Sequence, residues 1–395
     1  MMKKLVVIGG SPQNRKQQWA RRPEFLMITP QNLANDDKKG LVTRWGYKVI
    51  VIDEYHKFMR NRNTNAHNVL KKPQSIYLWM LSGSWASRGA QDFWIALNLI
   101  NPKLFSSYWK WVNTFCFVND GIFGKEVYGT KNVGQLHNVV RQHAIIVKKK
   151  DIGHDKKIRA IAAAEMTPTQ ATMYKKMTST MIVDLENGQG DLLVMRNPLD
   201  RIIKIRQLLC CPKILFPESD DIGGGLTWIL EELEDYLNPE DKYDLTGLHS
   251  VIYVPFVKAI PVIQEELERK FEGIEVTIIR GGLTIDEIQA ATDRFKATQG
   301  ICIVSIMSAE SFDLETASRG FFLGYDWDPE VNKQAEDRID RIINTNSVLN
   351  YWYIQLQNTL DVVLDVLHIK QVNLNTILND PKRLSHIMKG ELEDD

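Results

Sequence analysis

Val49-Ile50-Val51-Ile52-Asp53-Glu54-Tyr55-His56 decides how this chain is read. Four β-branched residues in a row suit a short strand buried on both faces, as in a parallel sheet. The run delivers two adjacent carboxylates to its carboxyl end, where open parallel sheets hold their ligands. In a nucleoside triphosphatase such a pair divides the labour. Asp53 would hold Mg2+ through its water shell, and Glu54 would orient and deprotonate the attacking water. An acidic helix start after a strand uses the same residues, because carboxylates are stabilised at a helix N-terminus. The stretch alone leaves both readings open.

Outward from it, apolar runs predict strands at Leu5–Ile8, Phe25–Ile28 and Ile76–Leu81, with helical patterns between them. Strands separated by helices imply a parallel sheet with crossovers. Residues 151–225 differ: Met, Ala and Thr are frequent, the periodicity is helical, and Gly223-Gly224-Gly225 close the stretch as a hinge. Leu226, Ile229, Leu230, Leu233 and Leu237 then share one helical face. Strands follow at Val251–Val254, Val276–Ile279, Ile301–Ser305, Gly320–Leu323 and Tyr351–Ile354. Helices are expected around Lys258–Phe271, Ile285–Phe295 and Val331–Ile342, and the acidic end Glu391–Asp395 reads as a solvated tail. The expected class is α/β: a first lobe in 1–150, a helical insertion with a glycine hinge in 151–225, and a second lobe in 226–395.

Forty-nine basic and 49 acidic residues among 395 give no net charge, which argues against a protein that coats DNA with its whole surface. A local groove is still allowed. Lys148-Lys149-Lys150, Lys156, Lys157 and Arg159 either line such a groove or form a solvated face. No apolar run approaches the ~18 residues of a membrane span, and the start Met1–Gly10 reads as a strand and glycine turn rather than a signal peptide. Cys116, Cys210, Cys211 and Cys302 have no paired spacing and read as structural thiols in a reducing compartment. Together these point to the cytoplasm. The histidines form no H-E-x-x-H, so a zinc site has no support.

Two further segments carry chemistry. Leu81-Ser82-Gly83-Ser84-Trp85-Ala86-Ser87-Arg88 places small hydroxyl residues at a strand end, where they either couple a nucleotide site to a neighbouring lobe or make a plain turn. In Trp327-Asp328-Pro329-Glu330-Val331-Asn332-Lys333-Gln334-Ala335-Glu336-Asp337-Arg338-Ile339-Asp340-Arg341, Pro329 suits a helix start, and Arg338 and Arg341 are spaced to share a helical face. Two guanidinium groups so placed can stabilise a transferring γ-phosphate, which is worth ~10³–10⁵ in rate. A salt-bridged surface helix is the other reading, since Glu336, Asp337 and Asp340 lie beside them.

The order and spacing of these segments resemble the Swi/Snf-type ATPases of helicase superfamily two, and within them the branch of annealing helicases and their phage relatives. The resemblance runs over nearly the whole chain. Val49–His56 resembles the Asp-Glu-x-His box, and Leu81–Arg88 the Ser/Thr-Gly-Thr-Pro box. Asp92-Phe93-Trp94 with Leu97–Pro102, Lys149–Ile152, Val251–Phe256 and Arg280–Phe295 follow other family segments. Gln334-Ala335-Glu336-Asp337-Arg338-x-x-Arg341 matches the sixth motif, the most specific of these. The resemblance implies two RecA-like lobes, the first incomplete, with ATP and Mg2+ as cofactors, double-stranded DNA as partner, and a host cytoplasm if phage-encoded. It makes Glu54, Arg338 and Arg341 catalytic, and Asp53, His56 and Gln334 nucleotide-contacting. Thr29, Ser82, Gly83, Ser84 and Ser305 become coupling or DNA-contacting positions.

The departures are as informative. Asp340 and Ile343-Asn344 stand where the family carries His and Gly-Gln, and Ala309–Leu314 lacks the glycines of the fifth motif. No G-x-x-x-x-G-K-[ST] loop occurs. Gly9-Gly10-Ser11-Pro12 resembles a segment that lies well after that loop in the family, and Pro12 lacks an amide for a phosphate cradle. The expected function is an ATP-dependent DNA translocase, truncated before its phosphate loop, which an upstream segment or a separately encoded partner supplies. The alternative is an inactive DNA- or protein-binding remnant.

Overall fold

The computed structural model describes residues 5–42, 46–55, 64–72, 77–83, 89–121, 124–147, 149–152, 156–186, 198–237, 245–298, 300–308, 312–326 and 328–362. The chain divides into two compact units, Met1–Val147 and Lys148–Asp395.

The first unit begins with β1 (Val6–Ile8), α1 (Pro12–Ala20), β2 (Leu26–Ile28) and α2 (Pro30–Lys38). It continues with β3 (Val49–Ile52), α3 (Asn65–Leu70), β4 (Tyr77–Met80), α4 (Phe93–Ile100) and α5 (Tyr108–Phe115). It ends with β5 (Cys116–Gly121), β6 (Gly124–Thr130) and α6 (Val133–Arg141). The Ser-Pro and Thr-Pro pairs each open a helix. Ser11 and Thr29 accept a hydrogen bond from the amide of Asn14 and of Asn32, while Pro12 and Pro30 take first-turn positions that need no donor. Under them, Arg15 and Trp19 both donate to the fully buried Asp36 carboxylate, which ties α1 to α2.

The parallel strands of this unit form two separate pairs, β1 with β2 and β3 with β4. The expectation that β3 is buried on both faces is corrected. Ile52 is buried, but Val49, Val51, Tyr77 and Trp79 are half exposed, and so are Val7 and Met27 on the other pair. Alternate side chains of each pair therefore meet solvent. The antiparallel hairpin of β5 and β6 lies in a stretch where the sequence reading places no strand.

The second unit opens with β7 (Lys157–Ala164), α7 (Pro168–Glu186), α8 (Pro198–Cys210) and α9 (Gly224–Asp235). Then follow β8 (Ser250–Val254), α10 (Ile260–Lys270), β9 (Val276–Ile279), α11 (Ile285–Thr298) and β10 (Ile301–Ser305). The last elements are β11 (Arg319–Phe322), α12 (Pro329–Glu336) and β12 (Leu349–Leu356). Six strands make one all-parallel sheet in the order β7-β12-β11-β8-β10-β9. Every residue of β8 and β10 is buried, as a parallel sheet covered on both faces requires. Tyr253, Phe322 and Tyr353 stack face to face across three neighbouring strands, with ring centroids 4.5 and 4.3 Å apart. The α/β class and the second parallel sheet are as expected.

Two expectations for 151–225 are corrected. The segment is not wholly helical: β7 pairs with β12 over eight residues, from Lys157 opposite Leu349 to Ala164 opposite Leu356. The glycine run is not a hinge. Gly224 and Gly225 are buried at the start of α9, and the Gly224 amide donates to the side chain of the buried Gln170. These glycines let backbones meet closely. All four cysteines are buried free thiols. Among the described residues no helix is long and apolar enough to cross a membrane.

One buried histidine carries a pH prediction. His249 lies before β8, its ring tilted against that of Phe295 at a centroid distance of 4.4 Å and 3.3 Å from the Thr316 hydroxyl. Burial, with the Arg319 guanidinium adding to it, pushes its pKa down from 6.5 to about 4. The folded chain therefore keeps the imidazole neutral, and the unfolded chain binds a proton first as the pH falls. Stability from this group is complete above pH 6.5 and is lost as the pH drops toward about 4. The stability that His249 adds, read by urea unfolding as the wild type minus His249→Gln, should be about 1–2 kcal/mol smaller near pH 5 than at pH 7.5. Equal pH dependence in both proteins would refute the assignment.

Candidate nucleotide-hydrolysis residues

In the first unit, β3 ends where the apolar run ends, and Asp53 and Glu54 form the turn beyond it. Asp53 is exposed, and its Oδ1 accepts the Glu54 amide at 2.9 Å. That bond folds the backbone back on itself and leaves Glu54 at φ +46°, a left-handed conformation unusual for glutamate. Tyr55 then turns inward to the core. Its hydroxyl pKa is raised by burial and by nearby Asp92. The turn is fastened to the end of β4: Leu81 N donates to Ile52 O at 2.8 Å, and Tyr55 N donates to Leu81 O at 3.2 Å. Two segments picked out separately in the sequence therefore meet, with Ser82 and Gly83 directly after the fastening residue. His56 and Ser84 lie outside the described residues.

Asp53 fits a Mg2+ role: it is a hard oxygen donor, exposed at a strand end, with one carboxylate oxygen outside the turn bond. The Gly9–Pro12 turn does not resemble a phosphate cradle. Gly9 N donates to Gln18 Oε1, Asn14 N to Ser11 Oγ, and Gly10 O accepts from Arg15. Thr29 caps α2 by accepting the Asn32 amide, which leaves its own hydroxyl proton to donate.

In the second unit, Ser305 is buried at the end of β10. Gln334 is half-buried in α12, and its carbonyl accepts Arg338 Nε at 3.2 Å. The helix expected to run to Ile342 stops at Glu336, with Asp337 as its cap, so Arg338 and Arg341 project from a tight turn and not from one helical face. The pair nevertheless remains together. Burial and then the Arg341 guanidinium lower the pKa of Arg338, the mark of two cations side by side. Arg338 donates to Phe312 O at 3.2 Å, and Arg341 pairs with Asp313. Asp313 was not anticipated; it stands among the drifted fifth-motif residues.

The departures in the sixth motif have local partners. Asn344 donates to Ala317 O and Ile339 O at 3.0 and 2.9 Å, closing the turn. Asp340 is bound by Lys149 and Lys157. The basic stretch, left open in the sequence as a DNA groove or a solvated face, is largely ion-paired within this unit. Arg159 grips Glu336 with two bonds of 2.6 Å, Lys157 meets Glu336 and Asp337, Lys149 meets Asp337, and Lys156 donates to Asn344 O. Burial opposes the charge on Lys157, but the Glu336 and Asp337 carboxylates outweigh it and raise its pKa. Lys148 lies outside the described residues.

A family model described as "SNF2-related domain" matches residues 2–214, and one described as "Helicase conserved C-terminal domain" matches residues 230–343. The first of these crosses the boundary between the two compact units. The chain is 24% identical over 375 residues to the SWI/SNF chromatin-remodeling complex subunit snf22 of Schizosaccharomyces pombe, covering 87% of this chain and 22% of that protein. It is 25% identical over 358 residues to the ATP-dependent DNA helicase DDM1 of Arabidopsis thaliana, covering 83% of this chain and 45% of that protein. The chain thus spans less than half the length of either relative. Among solved structures, the Sulfolobus solfataricus SWI2/SNF2 ATPase core in complex with dsDNA aligns with a TM-score of 0.47 and 19% identity, covering 99% of this chain and 82% of that one. With the first model matching more than half of its residues, the chain belongs to the SNF2-related domain family.

Proposed function

We propose that residues 1–395 are the carboxylate- and arginine-bearing part of an ATP-driven translocase that moves on double-stranded DNA. The supporting observation is the Asp53–Glu54 turn at the carboxyl end of β3, fastened through Leu81 to the segment carrying Ser82 and Gly83. Asp53 holds Mg2+, which when bound offsets charge on the phosphates. Glu54 accepts a proton from the attacking water. Arg338 and Arg341 stabilise the charge that develops on the transferred phosphoryl group, and His56 and Gln334 contact the nucleotide. Thr29, Ser82, Gly83, Ser84 and Ser305 link hydrolysis to DNA. The phosphate loop comes from residues other than these 395, in a longer chain or a separate one.

The test is phosphate release by the chain joined or mixed with a polypeptide carrying a G-K-[ST] loop of this family. Release should be stimulated by duplex DNA. DNA retention should fall steeply with salt, by on the order of 10³ between 50 and 200 mM if about six phosphates are contacted. Salt-sensitive retention without any ATP turnover in the completed enzyme would favour the second reading, an inactive DNA-binding remnant.

A further inference from the structure

Three carboxylates, Glu336, Asp337 and Asp340, lie within five residues of both Arg338 and Arg341. A guanidinium and a carboxylate so near in the chain pair readily, and a paired arginine offers less charge to a phosphate. Yet no salt bridge joins either arginine to any of the three among the described residues. The carboxylates are occupied from the other side. Lys157 Nζ reaches Glu336 at 3.0 Å, Asp337 at 2.8 Å and Asp340 at 3.2 Å. Lys149 Nζ reaches Asp337 at 2.8 Å and Asp340 at 2.6 Å, and Arg159 holds Glu336 in a fork. The Tyr351 and Tyr353 hydroxyls add bonds to the Glu336 carbonyl and carboxylate. Three cations on and before the edge strand β7 thus match three anions on the arginine-bearing turn. Glu336 and Asp340 are almost fully buried, whereas Arg341 keeps a third of its side chain exposed.

We propose that Lys149, Lys157 and Arg159 are positioning residues: by occupying Glu336, Asp337 and Asp340 they keep Arg338 and Arg341 from folding back onto these three carboxylates and hold them instead on the side of Phe312 and the partly exposed Asp313, from which an incoming phosphate can draw them. The value of that placement rests on the role given to the two arginines under Proposed function. The placement itself is independent of it.

The direction of the effect separates positioning from simple scaffolding. Loosening a scaffold exposes arginines, whereas freeing a carboxylate captures them. Phenylglyoxal modification of the full chain, mapped by peptide mass spectrometry, reads arginine availability without ATP turnover. Lys157→Met should slow modification of Arg338 and Arg341 by about three- to fivefold, the worth of one partly exposed ion pair, with exposed Arg294 unchanged. Lys157→Arg should restore the normal rate, and so should Lys157→Met with Asp340→Asn, which removes an anion together with its cation. Lys149 is 39% exposed, so Lys149→Met should fold even where Lys157→Met does not, and should slow the same two arginines. Unchanged or faster modification in Lys149→Met would overturn the proposal. Slower modification with undiminished phosphate release in the completed enzyme would uphold the placement and refute the role of the arginines.

Discussion

Gly224→Ala should lower the melting temperature of the second unit by roughly 6–12 °C, from a loss of about 3 kcal/mol or more. A helix's first turn is ordinarily improved by alanine, which restricts the unfolded chain. Here the added Cβ would stand 1.7 Å from the Glu165 carbonyl oxygen and 2.9 Å from its carbon, both backbone atoms at the end of β7. No rotamer change relieves that overlap; α9 or β7 must move. Moving α9 also breaks the bond from Gly224 N to Gln170, whose amide group in turn holds Leu208 O and Leu209 O at the end of α8. One methyl group therefore disturbs three helices and an edge strand. Gly273→Ala is the control: its φ is +83° but nothing lies within 4 Å, so only the backbone cost of about 1 kcal/mol applies. Calorimetry of the two variants should rank them in that order, and a Gly224→Ala protein melting with the wild type would sink the close-packing account.

Glu54→Gln should reduce phosphate release in the completed enzyme by ~10²–10⁴, the usual contribution of a positioned base. Glutamine keeps the size and polarity of the side chain, so the turn at φ +46° and the bonds through Leu81 should persist and the melting temperature should hold. The loss should appear in kcat, with ATP retention unchanged, because the proton is taken only as the water attacks. Arg338→Ala should cost ~10³–10⁵ if it stabilises the transferred phosphoryl group. A Glu54→Gln enzyme that turns over normally would remove the carboxylate from the mechanism and leave the turn as a helix-start device.

The strands that were legible in the sequence share one trait: β-branched or aromatic runs bounded by Gly, Asp or Ser, as at Val49–Ile52 and Ile301–Ser305. β7 was hidden because Lys157-Ile158-Arg159-Ala160-Ile161-Ala162-Ala163-Ala164 is rich in a strong helix former. Its strand conformation comes from eight residues of pairing with β12, a tertiary contact that local propensity does not report. The early end of α12 has a similar origin. Val331, Ala335, Ile339 and Ile342 continue a helical pattern, but Asp337 and Asp340 are drawn to Lys149 and Lys157, some 180 residues away. At the candidate site, Asp53–Glu54 and Leu81–Gly83 were each legible as a segment that follows a strand, but the bonds that fasten one to the other were not. Nor was the pairing of Arg341 with Asp313, because nothing in the spacing of residues 312–341 sets the depth of the turn.

The half-covered strand pairs of the first unit have a consequence for handling the protein. Val7, Met27, Val49, Val51, Tyr77 and Trp79 present apolar surface on parallel ribbons that natural sheets normally cover. In the second unit the central strands β8 and β10 are wholly buried, and among the described strands exposed apolar side chains are found on the edge strand β7, at Ile158 and Ile161. A nascent or heated chain should therefore recruit chaperones and self-associate through its first 147 residues, while a protease cutting near Val147 would leave the remainder in the supernatant.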